Sequence, residues 1–321
     1  MRVRNEKPPC SYLNLILSLS LSLSLSLTLP MQPAQAELNA SPVTKVVMLG
    51  TGTPFADPKR SGPGVAILVN NTPYLVDFGP GIVRRAAAMT PAYGGNLAAL
   101  EPKRLTRAFL THLHSDHTTG YPDLIFTPWT LGRDEPLQVY GPEGIEEMTR
   151  HILKAYGEDI RYRVYGLEPT NNLGWRVKAY PVKQGLVYED DNVSVEAFRV
   201  RHGSWPNAFG YRFTTPDRVI VISGDAAPGG DIEAYAEGAD ILIHEVYAAS
   251  GLARRTAFWK RYHSSNHTSG VELGELAEQV KPKLLVLYHV LFFGASKQDI
   301  LNEVRTHYTG DVVLPDDLAV F

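Results

Sequence analysis

Four potential metal ligands crowd the seven residues T-H-L-H-S-D-H at 111–117: His112, His114, Asp116 and His117. His112 and His114 alternate, so at the end of an extended strand they point the same way. Asp116 and His117 follow where the chain must already turn, and so aim at a second point nearby. Imidazole and carboxylate are groups that Zn²⁺ accepts, and no thiolate competes with them. Chance does not readily place three of ten histidines within six positions. The segment reads as a metal site. Four ligands cannot complete two ions that each keep an open position, so partners must come from elsewhere. Three candidates end apolar runs downstream. His202 follows V-S-V-E-A-F-R-V-R, Asp225 follows V-I-V-I-S-G, and His289 follows L-L-V-L-Y. Strand followed by ligand, repeated, describes a site on the rim of packed sheets.

The elements that must position these residues can be read coarsely. Strands are expected at 45–49, 65–69, 74–77, 107–111, 137–140, 193–200, 209–213, 219–223, 240–243 and 284–288, and helices near 81–89, 143–156, 231–237, 269–280 and 297–307. Val271, Leu273, Leu276, Ala277 and Val280 recur at helical spacing, which predicts a buried helix face. Hydrophobic residues at 44% and charged residues at 20% are ordinary for a globular chain. Strands with flanking helices suit an α+β protein built as a layered αββα sandwich of two mixed sheets. Residues 37–321 are read as one domain of this kind.

The residues also resemble a known family. T-H-L-H-S-D-H matches the H-x-H-x-D-H signature of the metallo-β-lactamase superfamily, and further segments resemble its ribonuclease Z and arylsulfatase-like branch. These are L-G-T-G-T-P at 49–54, Y-L-V-D-F-G-P-G at 74–81, H-G-S-W-P-N-A-F-G-Y-R-F at 202–213, S-G-D at 223–225, H-E at 244–245, N-H-T-S at 266–269 and the final L-Y-H. The resemblance implies two Zn²⁺ per chain. His112, His114 and His202 would hold one, Asp116, His117 and His289 the other, and Asp225 would bridge them. It implies that Asp77 supports the ligand segment, that His267 donates a proton or steadies developing charge, and that Glu245 pairs with His267. Asp116, Asp225, His267 and Glu245 are thus the expected catalytic residues, and His244 is read as structural. Two zinc ions roughly 3.5–4 Å apart would share a bridging hydroxide at neutral pH that attacks the substrate.

The N-terminus reads separately. Arg2, Arg4 and Lys7 precede an apolar Leu-Ser run at 13–29, and A-Q-A closes at 34–36. A positive start, an apolar middle and a small-x-small end describe a cleavable signal peptide over 1–36, with export to the periplasm or beyond. The competing readings are an uncleaved membrane anchor and a true start at Met31. Cys10, the only cysteine, lies inside this segment, so the remainder has no thiol or disulfide.

Charge bears on the substrate. The chain carries −3, and the first ten residues contribute +2 through Arg2, Arg4 and Lys7 against Glu6, leaving −5 for the rest. A nucleic-acid enzyme is expected to show a basic face. One basic-aromatic stretch stands out, R-R-T-A-F-W-K-R-Y-H at 254–263. It reads either as a lid or pocket wall that grips an anionic or aromatic group through Arg254, Arg255, Trp259 and Arg261 or, preferred, as an amphipathic helix that buries Phe258 and Trp259. Residues 141–201 show no glycine-rich basic insertion like the arm with which the tRNA-processing branch grips its substrate. The expectation is therefore an exported dinuclear zinc hydrolase acting on a small aromatic or apolar electrophile, as arylsulfatase-like enzymes or isothiocyanate hydrolases do. Trp205, Phe209, Phe292 and Phe293 would either wall its pocket or serve as plain packing. No nucleic acid, no membrane after signal cleavage and a possible homodimer complete this reading. The alternatives are a phosphodiesterase or ribonuclease Z-like nuclease, a β-lactamase or lactonase, and a non-hydrolytic metal-binding or redox protein.

Overall fold

Strand after strand in this chain alternates two apolar faces, and that alternation stacks the layers. The computed structural model describes residues 44–168 and 170–321, so the expected signal peptide lies outside the described residues. The first sheet has six strands in chain order: β1 (Thr44–Gly50), β2 (Gly64–Val69), β3 (Thr72–Val76), β4 (Arg107–Phe109), β5 (Leu137–Gly141) and β6 (Val177–Pro181). Pairing is antiparallel through β3 and parallel from β3 to β6. In the second sheet β7 (Gly185–Glu189) pairs with β8 (Ser194–Arg201), which lies between β9 (Phe209–Thr214) and β11 (Ala227–Gly230). The sheet continues from β9 to β10 (Val219–Ile222), β12 (Ile241–Tyr247), β13 (Leu284–Leu291) and β14 (Val312–Val313). It too is mixed, with antiparallel pairs up to β10 and parallel pairs beyond.

Even-numbered positions of β1, Val46 and Met48, meet Ile220, Ile222, Ile243 and Val286 between the sheets. Their neighbours Val47 and Leu49 face outward and pack with residues of α1 (Ile82–Ala88) and α3 (Tyr121–Thr130). Between these two helices along the chain lies the short α2 (Ser115–Thr118), and α4 (Ile145–Ala155) and α5 (Gly157–Tyr165) follow. On the far side, Val221, Leu242, Leu285 and Leu287 pack with α6 (Ile232–Ala236), α9 (Gly270–Val280) and α10 (Lys297–Val304). The short α7 (Ala249–Leu252) and α8 (Ala257–Asn266) lie between β12 and α9 in the chain. The result is the expected αββα sandwich of two mixed sheets. Leu273, Ala277 and Val280 are buried as their spacing predicts, and Ser269 starts α9 with a capping box to Glu272.

The structure adds β6, β7, β11 and β14 to the expected strands, and α2, α3, α5 and α7 to the expected helices. Helix α3 escapes a sequence reading because Pro128 sits inside it. A proline there removes the N–H that the carbonyl of Leu124 would use. Buried Arg133 supplies the missing donor: its Nη1 reaches the Leu124 carbonyl at 2.9 Å, and Nη2 reaches that of Ile125 at 2.7 Å. One preferred reading is corrected. Residues 257–266 do form a helix, yet Phe258 is 59% and Trp259 47% exposed, so α8 does not bury its aromatic side chains.

Candidate metal centre

Loops at one rim of the sandwich bring the expected residues together. His112 and His114 lie just after β4, Asp116 and His117 on α2, His202 just after β8, and Asp225 just after β10. His289 stands within β13 at a bulge: Glu245 pairs with Tyr288 and Val246 with Val290, so His289 is the extra residue. Its φ of 45° turns the side chain away from the regular pleat. Gly224 precedes Asp225 at a φ of 62°, where a Cβ would stand 2.8 Å from that of Thr111. Glycine is therefore required for this turn.

Ligand atoms of His112, His114, His202 and Asp225 lie within 4.8 Å of one another, as do those of Asp116, His117 and His289. The Nδ1 of His114 is 2.9 Å from Nε2 of His112 and 3.1 Å from Nε2 of His202. Two nitrogens on one tetrahedral Zn²⁺ stand about 3.3 Å apart, close to these separations. Asp225 turns Oδ2 toward His112 and His202, 3.9 Å from each. It turns Oδ1 toward His117 at 3.3 Å and His289 at 3.4 Å. One carboxylate thus faces both sets.

Other side chains fix the rings. Asp77 accepts from the Thr111 backbone N–H at 2.8 Å through Oδ1 and holds His117 Nδ1 at 2.8 Å through Oδ2. That leaves His117 Nε2 facing the site. Thr111 Oγ1 lies 3.0 Å from His112 Nδ1, and the Asn266 carbonyl 2.8 Å from His202 Nδ1. Trp205 Nε1 donates to His114 Nε2 at 2.7 Å. Indole is a donor only, so this contact leaves the ring proton on Nδ1. Binding an ion through Nδ1 requires the contact to open. Thr111, Asn266 and the Trp205–His114 bond were not assigned these roles from sequence. Thr111 sits inside T-H-L-H-S-D-H and Asn266 inside N-H-T-S, which was the available signal.

Burial pulls His112 well below the usual histidine range, lowers His202, and takes His114 to about 4, all toward the neutral form that metals bind. Burial also opposes the charged form of His117, yet Asp225, Asp77 and Asp116 outweigh it and raise that ring well above its ordinary value. Asp225, though buried, is held well below the carboxylate range by His289 and His117. Three atoms that face one another, His117 Nε2, Asp225 Oδ1 and His289 Nδ1, are buried without a hydrogen-bond partner. Each such group costs about 1–3 kcal/mol when left unpaired. Converging ligand atoms of this kind fit metal ions, which would displace the proton held on His117.

His267, at the end of α8, places Nδ1 3.9 Å from Asp225 Oδ2 and 3.4 Å from Glu245 Oε1, without a hydrogen bond to either. Burial lowers it to about 4. Glu245 is pushed well above the carboxylate range by burial and by the Asp225 charge, and its Oε1 accepts the backbone N–H groups of Ala226 and Thr268. His244 is buried and bonded to the Glu245 carbonyl, outside both ligand sets. Of the expected wall residues, Phe209 belongs to the core between the sheets, whereas Phe292 and Phe293 do line cavities.

The β-lactamase superfamily domain profile matches residues 72–290. The chain belongs to the metallo-β-lactamase superfamily. Within it, the ribonuclease Z-like branch is supported by named relatives. Ribonuclease Z of Mycobacterium sp. (strain KMS) is 31% identical over 278 residues, covering 85% of this chain and 94% of that one. Ribonuclease Z of Mycobacterium marinum is 32% identical over 279 residues, covering 85% and 96%. Among solved structures, human tRNase Z, short form, superposes with a TM-score of 0.64 at 22% identity, over 86% of this chain and 98% of that one. The metallo-β-lactamase fold protein YhfI of Bacillus subtilis gives 0.66 at 19% identity, over 88% and 99%.

These relatives overturn the expectation of a small-molecule substrate with no nucleic acid. Net charge misled because it sums over the whole surface. The binding of a polyanion depends on where the cations stand. Arg254, Arg255, Lys260 and Arg261 are concentrated on α8 and the residues leading into it.

Proposed function

We propose that this protein is a zinc-dependent phosphodiesterase that cuts RNA, of the ribonuclease Z kind. The observation that carries the reading is Asp225, one oxygen toward each ligand set, at the floor of a cavity bounded on another side by α8. Relatives named ribonuclease Z, aligned over nearly their full length, support RNA as the substrate. His112, His114 and His202 would hold one ion, Asp116, His117 and His289 the second, and Asp225 both. When bound, such a pair supplies a nucleophile at neutral pH and neutralises charge on the phosphate. Asp77 keeps the His117 ring turned toward the site. His267 borders the cavity and stays neutral until a phosphate arrives, because burial disfavours its cation. As charge develops on the leaving oxygen, His267 would carry a proton from solvent to it. Glu245, kept protonated, adds no further negative charge beside Asp225 and Asp116.

The test uses metal-replete full-length protein and a structured RNA with a single-stranded 3′ tail, such as a tRNA precursor. Cleavage is expected, and both a chelator and Asp225→Ala should reduce it by at least about 100-fold, the scale lost with metal catalysis. Intact RNA in the presence of bound metal would contradict the reading.

A further inference from the structure

The cavity over the candidate ligands has an aromatic wall. It measures about 290 Å³, with Asp116, Asp225 and His289 at one side and Phe55, Trp259 and His263 at the other. Phe55 comes from the loop after β1, and Trp259 and His263 from α8. Phe55, Trp259 and His263 also line an adjoining cavity of about 250 Å³, which adds Arg255 and Phe293. A third void, again about 250 Å³, shares Phe55, Arg255 and Phe293 and reaches Arg60. Through these shared residues the three adjoin as one trough that leads from the ligands past α8 and Phe55 to Arg255 and Arg60.

Its chemistry is specific in kind. Phe55 is 68% and Trp259 47% exposed, and with Phe293 they line one cavity, a contiguous apolar patch of the kind that marks a binding site. Trp259 is stacked on the His263 ring, with centroids 5.6 Å apart and planes at 24°. The His263 Nδ1 is buried without a partner. Arg255 lies over Phe293, 5.7 Å from the ring centroid. Among the described residues it forms no ion pair, whereas Arg60 is engaged with Asp316. Flat apolar faces and the unpaired Arg255 guanidinium suit a ligand with a planar ring and a negative charge, with Asp57 confined to the outer void beside Arg60.

We propose that this trough is a stacking subsite for a single-stranded nucleotide flanking the scissile phosphate. Its base lies on Trp259 between that ring and Phe55, and its backbone runs toward Arg255. The inference rests on the RNA-cutting reading above and adds which part of the RNA is gripped and how. Single-stranded RNA is commonly held by aromatic faces and guanidinium planes, and stacking accepts any base.

The test compares two oligoribonucleotides with the same cleavage site, one carrying an abasic ribose at the flanking position. With metal-replete wild-type protein, removing the base should lower kcat/KM by about 5- to 150-fold, the range for one base stacked on an aromatic ring. Trp259→Ala should lower turnover of the intact RNA by a similar factor and respond little to base removal. Trp259→Phe should restore most of the difference. An abasic penalty equal in wild type and Trp259→Ala overturns the subsite while leaving RNA cleavage standing. A second readout is independent of cleavage: quenching of tryptophan fluorescence by UMP, with ribose 5-phosphate as the control. If no RNA is cut, the RNA-cutting reading fails and quenching alone decides the subsite. Quenching by UMP that disappears in Trp259→Phe supports the proposal. No quenching, or quenching that survives the substitution, overturns it.

Discussion

Two side chains at the site, Asp77 and His289, occupy left-handed backbone conformations, with φ of 60° and 45°. Such positions cost about 1–3 kcal/mol each in non-glycine residues. The return is geometric. Asp77 reaches both Thr111 and His117, and His289 leaves the strand pleat to meet Asp116 and Asp225. The types of the seven candidate ligands were legible in the sequence, because few residues offer the chemistry. The strain was not. L-Y-H reads as the end of a strand, and only pairing with β12 shows that His289 is a bulge inside a longer one. Trp205 was likewise legible as an aromatic near the site but not as a donor to His114. That bond must open for His114 to bind through Nδ1. Trp205→Phe should therefore tighten metal binding by about two- to tenfold, the worth of one hydrogen bond, in competition against a chromophoric chelator. Weaker binding would show instead that Trp205 supports the bound form.

At the scale of elements, strands with two apolar faces announced themselves, and half-exposed edge strands did not. β6 alternates half-buried Val177 and Ala179 with exposed Lys178 and Tyr180, and two small apolar residues are too short a pattern to announce a strand. Helix α3 depends on a partner remote from its own pattern. Arg133 donates to the carbonyls of Leu105, Leu124, Ile125 and Gly174, tying α3 to the strand entries of β4 and β6. Arg133→Met should leave these carbonyls buried and unpaired and lower the unfolding free energy by about 3–5 kcal/mol, read from urea denaturation. A loss below about 1 kcal/mol would mean that water or backbone shifts replace the guanidinium. Helix α8 shows the opposite limit of sequence reading. Its amphipathic pattern was visible, but which face would be covered depended on elements far along the chain. Phe55 and Phe293, from two other loops, leave Trp259 facing a void.

At the scale of the molecule, three apolar layers between and outside two sheets follow from alternation that any strand-by-strand reading can find. Overall charge does not carry the same information, since −3 for the whole chain hides the cations gathered at α8. Among the described residues no helix is long and apolar enough to cross a membrane. Residues 1–36 lie outside the described residues, and we propose from their sequence that they are a cleaved export signal. N-terminal sequencing of the exported protein should then begin at Glu37, and an N-terminus that retains the Leu-Ser run would favour an anchor. The arrangement of the rim residues makes a sharper demand. Because Asp225 faces two separate ligand sets, elemental analysis of the purified full chain should find two zinc ions per chain, falling to one or fewer in Asp225→Ala. A wild-type protein that saturates at a single ion, or an Asp225→Ala variant that keeps both, would contradict this account.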